Sequence, residues 1–275
     1  MRQRFLTFAR AALVQLWLPV VLIAAWWIAS SSSTSFYFPP LSAILADLWQ
    51  GLTGGDLLSA TGYSLRNLLL GLLVALVAGV AVGVLLGLNK AVEAATRPML
   101  DYARAVPHVA FVPVIIVALG LGWLPKVLLI ALGCVWPILL NTVDGVRGIS
   151  PQVLECTRAY RIPLRLVVRR VVLPACAPQA FAGLRVALQV GMVMLIVSEM
   201  YGSTTGIGFF VLQSGENYAV TDTWAGTVLI GGLGYLLSLV LLAAEQLSLG
   251  WYFQRQPARR RGAVRVPSTE RAVAS

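Results

Sequence analysis

Six times along this chain an apolar run approaches the length needed to cross a bilayer. A helix needs about 20 mostly apolar residues to span a ~30 Å hydrocarbon core. Such runs lie at about 11–29, 68–88, 105–122, 127–143, 183–200 and 225–244. Pro107 and Pro113 interrupt the third and Arg185 opens the fifth. Neither disqualifies a span, because neighbouring helices can satisfy freed backbone groups. Barrel strands would alternate over about ten residues, and these runs do not. Composition agrees: 58% of the 275 residues are hydrophobic and 12% charged, against about 25% charged in soluble domains. The expected fold is an all-α integral membrane protein with six transmembrane helices.

Charge sets the orientation. Of 21 basic residues, 19 are arginines. The tail at 1–10 holds Arg2, Arg4 and Arg10; the connection after the second run holds Lys90, Arg97 and Arg104. The segment after the fourth run carries Arg147, Arg158, Arg161, Arg165, Arg169 and Arg170, with Arg185 at its edge. The tail at 250–275 adds Arg255, Arg259, Arg260, Arg261, Arg265 and Arg271. Only Arg66 and Lys126 fall on the alternate side. Cytoplasmic loops carry the excess of Lys and Arg, so both termini are expected in the cytoplasm, with residues 30–59 as an extracytoplasmic connection. The run at 11–29 exceeds the 7–15 residue core of a cleaved signal and reads as an uncleaved first span. The basic tails read as inner-leaflet partners, not nucleic-acid binders.

Several chemistries are missing. Neither lysine follows a glycine, so there is no phosphate-binding Gly-x4-Gly-Lys-Ser/Thr loop. His108 is the single histidine, and no Gly-x-Ser-x-Gly elbow accompanies it. Cys134, Cys156 and Cys176 lack metal-ligand spacing. The chain reads as no enzyme, with no metal and no cofactor; active transport would draw its energy from a partner or an ion gradient.

The most informative stretch is the connection at 144–182. Ser150 suits an N-cap and Pro151 the first helical position. Ile149 and Leu154 sit where a hydrophobic staple would. A helix is expected from 151 to about 162, ended by Pro163, and a second over 164–173, ended by Pro174. Two short amphipathic helices could dock on a cytoplasmic protein or lie on the anionic leaflet.

Glu155-Cys156-Thr157, closing with Val171-Val172-Leu173-Pro174, resembles the EAA loop of binding-protein-dependent ABC importer permeases. The family pattern is Glu-Ala-Ala, three residues, Gly, nine residues, Ile-x-Leu-Pro, and the spacing matches without a gap. Cys156 and Thr157 replace the alanines and Arg161 the glycine. In the family the small residues and the glycine would let the helix turn tightly against the ATPase; an arginine takes positive φ less readily than glycine, so Arg161 is a departure at the tight turn. Further pieces extend it from about residue 39 to 253: Phe38-Pro39-Pro40-Leu41-Ser42 before a short helix, Ser64-Leu65-Arg66-Asn67 with Gly71, Arg97-Pro98, and Ala105-Val106-Pro107 with Pro113. Gly183-Leu184-Arg185, Ser198-Glu199-Met200 and Gly206-Ile207-Gly208 are similar to the sulfonate, nitrate and taurine branch.

The resemblance implies a type I permease core over 60–249 in the inner membrane. It also implies a second permease copy, cytoplasmic ATPase subunits that use the ATP, and an external substrate-binding protein. Its coupling residues would be Ser150, Pro151, Glu155, Arg158, Arg161, Val171, Leu173 and Pro174. An ion-gradient transporter and a scaffold without transport are the alternative readings.

Glu199 is the most suggestive intramembrane acid. Such groups face a bundle interior or watery cavity and mark pathways, so Glu199 is a candidate for the path or gate; hydration at the outer interface is the other reading. His108 is a second candidate for the path, or an interfacial residue. Arg66 and Lys126, on the outer side, read as snorkelling cations, with an acidic patch on a delivering protein as the other reading. Gly79, Gly83 and Gly87 put two Gly-x3-Gly steps on one helix face, for packing within the subunit or against a second copy. Gly226, Gly231, Gly232 and Gly234 thin the last run in the same way.

Overall fold

A computed structural model describes residues 17–18 and 20–251. Most of the first apolar run and both basic tails, at 1–10 and 252–275, lie outside the described residues. What is described is helical, with no strand among these residues. The order is α1 (Val20–Ser30), α2 (Leu41–Gly54), α3 (Asp56–Leu88), α4 (Lys90–Ala105), a 3-10 turn (His108–Phe111), α5 (Val112–Leu119), α6 (Trp123–Arg147) and α7 (Pro151–Ala159). Then come α8 (Leu164–Val167), a π turn (Val168–Val172), α9 (Leu173–Gly202), α10 (Ile207–Glu216) and α11 (Val220–Ser248).

Among the described residues four helices are long and apolar enough to cross a membrane: α3, α6, the combined stretch Leu164–Gly202, and α11. The third expected run does not form one straight helix. The α4 helix stops at Ala105, and the segment from His108 to Leu119 leaves at 76°. Pro107 explains the break, because the ring of a proline drives the preceding residue out of the helical region; Val106 sits at φ −73°, ψ 127°. Counting this bent pair as one gives five spans among the described residues.

The expected stop at Pro174 is also corrected. Pro174 lacks the N–H that would bond the Arg170 carbonyl, and its ring would press on that carbonyl. The chain widens instead of stopping: Val168–Val172 forms a π turn in which the Leu173 N–H reaches back five residues to the Val168 carbonyl. Single π turns absorb such local conflicts inside α-helices. The helix then runs on through Pro174 and Pro178 to Gly202.

The described residues divide into two compact units. One holds those up to Asn67 with Val112–Lys126 and Leu195–Leu233; the other holds Leu68–Phe111, Val127–Met194 and those from Gly234 on. In the first, Leu41, Ile44 and Ala225 form a small core flanked by Trp26 and Trp224. Trp224 donates through Nε1 to the Tyr37 carbonyl at 3.2 Å, and the Leu41 N–H donates to Ser30 Oγ at 3.1 Å. These contacts fix the Phe38–Ser42 segment and the short helix predicted after it.

The second unit is organised by a seam of small residues. Gly71, Gly79, Gly83 and Gly87 of α3 face Ile130, Ile138, Thr142 and Val146 of α6. The Gly-x3-Gly steps are therefore used inside the chain. A Cβ on Gly83 would fall 2.7 Å from Thr142 Cβ and 2.9 Å from the Leu139 carbonyl oxygen. Overpacking of this kind costs about 1–3 kcal/mol. Gly83→Val is expected to lower stability by at least ~2 kcal/mol, read by thermal melting in detergent; an unchanged midpoint would show that α3 and α6 separate freely. Of the glycines in α11, only Gly226 is crowded, by Val211 and Phe210, while Gly231 and Gly232 face open space.

Candidate functional site

The loop after α6 is built as a projecting arm. Ser150 has a non-helical backbone at φ −57°, ψ 131°, and Pro151 takes the first helical position as expected. The Ser150 hydroxyl departs from expectation: it turns to Gln152 Oε1 and caps no backbone N–H. No residue of α7 is buried. Glu155 and Arg158 are exposed along it, and Tyr160 just beyond is 82% exposed.

The end of α7 explains the family glycine. The Ile162 N–H bonds the Thr157 carbonyl at 3.0 Å and the Arg161 N–H bonds the Arg158 carbonyl at 2.9 Å. This six-to-one and five-to-two pair is a Schellman motif, whose C′ residue is left-handed. Arg161 occupies that C′ position at φ 51°. The turn survives its arginine at a conformational cost of about 1–2 kcal/mol. Arg161→Gly is expected to raise stability by about 1 kcal/mol in a thermal melt; a loss of stability would mean that the arginine side chain holds the turn.

Where the arm rejoins the bundle it is anchored. Val167, Val172 and Cys176 are buried with Val84 and Val146, and Val171 packs beside them. Leu173 is 38% exposed and Pro174 half-buried. The two ends of the family pattern thus differ in kind: Glu155–Arg161 projects, while Val171–Pro174 roots the arm. Beside the root, a 750 Å³ groove is lined by apolar side chains including Val80, Val84, Leu164, Val168 and Phe181. At the foot of α6, Arg147 pairs with Glu93 at 2.5 Å, and Arg97 approaches the same carboxylate at 3.9 Å. Glu93 is 8% exposed; its four-residue spacing to Arg97 was the available signal in the sequence.

Glu199 is fully buried, which removes the hydrated reading. The Ser64 hydroxyl lies 2.8 Å from both carboxylate oxygens, and the Gly208 N–H donates to Oε2 at 3.0 Å. Ser64 Oγ also accepts the Ile207 N–H at 2.9 Å. Orphan N–H groups open every helix, and here those of Ile207 and Gly208 in α10 are satisfied by side chains from α3 and α9. Gly206, at φ 115° just before α10, lets the chain pass over the carboxylate.

Lys126 overturns the snorkelling expectation: it is 2% exposed. Its ammonium donates to the Gly122 carbonyl at 2.8 Å and to Tyr63 Oη at 3.2 Å. Arg66 is exposed, as snorkelling requires. His108 is half-buried, its ring 6.0 Å from that of Trp136. It belongs to the other unit from Glu199.

Residues 71–247 match the family model described as binding-protein-dependent transport system inner membrane component. The chain is 29% identical over 236 residues to SsuC of Bacillus subtilis, a permease protein named for aliphatic sulfonates transport, covering 85% of this chain and 86% of that one. It is 28% identical over 225 residues to the taurine transport system permease protein TauC of Escherichia coli, covering 80% and 82%. Its fold is similar to that of a chain from the MetNI methionine ABC transporter in an inward facing conformation. That match has a TM-score of 0.56 and 21% identity, covering 70% of this chain and 95% of the other. With the arm, its left-handed turn and the apolar helices in place, the chain belongs to the inner-membrane components of binding-protein-dependent transport systems, the multi-pass permease subunits of ABC importers, which are not themselves enzymes.

Proposed function

We propose that two copies of this permease, each with six spans and both termini in the cytoplasm, carry a small anion inward. The cargo would be a sulfonate, taurine, nitrate or an ion of similar size, handed over by an external binding protein. Cytoplasmic ATPase subunits bind and hydrolyse the ATP, and the arm from Ser150 to Pro174 passes their motion to the spans. A nucleotide-dependent partner supplies the differential free energy that shifts outward- and inward-facing populations.

One observation carries this reading: α7 is closed at its C-terminal end by a Schellman turn yet buries none of its residues. A nine-residue helix that buries no residue and has no side-chain cap at its N-terminus is marginal in water and is stabilised when a partner covers it. Cys156 stands exposed on α7, whereas Cys134 and Cys176 are buried. Native Cys156 is therefore a selective handle. A short thiol cross-linker on membranes containing the whole importer is expected to join the permease to its ATPase, with a yield that changes on adding ATP. Products with lipid alone would assign α7 to the leaflet and end the coupling role. Uptake that persists without ATP and stops when the proton gradient collapses would end the ATP-driven reading.

A further inference from the structure

We infer that Lys126, Tyr63 and Arg66 form an anion-binding step in the translocation path, taking a small monovalent oxyanion. The inference rests on the proposed anion cargo and adds the residues that meet it. Lys126 offers three N–H donors, of which Gly122 and Tyr63 accept two. A buried ammonium without a counter-charge is costly, and among the described residues neither Lys126 nor Arg66 makes an ion pair. Glu199 acts on Lys126 only through space; its oxygens are engaged by Ser64 and Gly208.

The second cation lies on the same aromatic ring. Lys126 Nζ is 5.1 Å and the Arg66 guanidinium carbon 5.3 Å from the centroid of Tyr63. Two positive charges thus meet on one ring with no carboxylate paired to either, a setting that a monovalent anion would relieve. The three residues run from exposed Arg66 through half-buried Tyr63 to buried Lys126, a gradient along which an anion sheds water while gaining donors. Lys126 also stands in the first turn of α6, the helix end that favours negative charge. One turn along α3 from Tyr63, Asn67 is fully buried with Oδ1 and Nδ2 both unpartnered. Its amide is the next donor on the same helix.

The test uses the permease–ATPase complex in nanodiscs of phosphatidylcholine alone, so that no anionic headgroup competes. Sodium nitrate and sodium methanesulfonate are titrated against sodium chloride at matched ionic strength, with the melting midpoint as readout. Labelled nitrate and methanesulfonate uptake is measured in proteoliposomes with the binding protein present. The wild type is expected to be stabilised by nitrate or methanesulfonate beyond chloride. Lys126→Met is expected to lose that gain and about tenfold or more of uptake, while Lys126→Arg keeps most of both. Co-purification of the ATPase reports folding. If Lys126→Met does not assemble, Arg66→Gln, at an exposed position, decides through an expected loss of severalfold in apparent affinity. Assembled Lys126→Met and Arg66→Gln proteins that titrate like the wild type, in a complex that does take up anion, would overturn this inference alone. A wild-type complex that takes up neither probe and is stabilised by neither would overturn the inference together with the proposed cargo. A gain that appears only when phosphatidylglycerol is added would assign the cations to lipid and overturn the cargo role.

Discussion

Gly206→Ala is expected to leave little or no folded permease. The glycine sits at φ 115°, ψ 165°, a region that is essentially glycine-only and costs other residues about 1–3 kcal/mol. Its added Cβ would lie 2.5 and 2.6 Å from the two oxygens of Glu199. That carboxylate has nowhere to go, being held by Ser64 and the Gly208 N–H inside the protein. Pushing it aside strands a buried charge, worth a further ~1–3 kcal/mol or more. Together these reach about 3 kcal/mol or above, a large part of the stability of most domains. Melting by fluorescence-detected size-exclusion chromatography would show it as a collapsed monodisperse peak or a fall in midpoint of many degrees. A variant melting within a degree of wild type would mean that the carboxylate is not held as described. Glu199→Gln keeps an acceptor for Ser64 and Gly208 and should lose much less, which separates the packing of the turn from the charge.

Glu155→Lys is expected to disconnect the permease from its motor without unfolding it. The side chain is exposed on α7, so reversing its charge disturbs no internal contact, and surface changes of this kind stay within about 0.5 kcal/mol. Against a partner the same change is severe. An acid that meets a cation across an interface becomes a like charge, and truncating a buried interfacial pair already costs about 2–5 kcal/mol. The ATPase should fail to co-purify and uptake should fall at least tenfold, while the melting midpoint of the isolated permease stays put. Normal co-purification with normal uptake would remove Glu155 from the docking surface.

The membrane class and the arm were legible because they rest on local signals. Apolar runs announce α3, α6 and α11 directly, and the step from Glu155 to Pro174 announces the arm. The left-handed turn at Arg161 was only half legible: a position that a family gives to glycine is one where the backbone asks for positive φ, but whether the turn survives an arginine is settled by the φ of 51°. The errors have equally physical roots. Pro174 was read as a stop because a proline normally ends a helix, but a π turn placed just before it changes which carbonyls are left over. Pro107 was treated as tolerable within one span, and it bends the path by 76°. The partners of Lys126 and Glu199 were beyond reach for a different reason. Tyr63 and Ser64 lie 63 and 135 residues away in sequence, and no periodicity records which helix will turn which face to which. A lone lysine beside a glycine-rich turn looks the same whether it will float at an interface or be enclosed.

The π turn at Val168–Val172 also decides how mechanical work can travel. By bridging α8 to α9 it continues one helix from Leu164 into α9, and the part up to Met194, inside one compact unit, is a shaft of about 46 Å at the usual rise. A shaft of that length turns a tilt of about 5° at one end into a sweep of ~4 Å at the other. Modest strokes from below would thus be magnified by leverage alone, with stiffness standing in for any chain of relayed contacts.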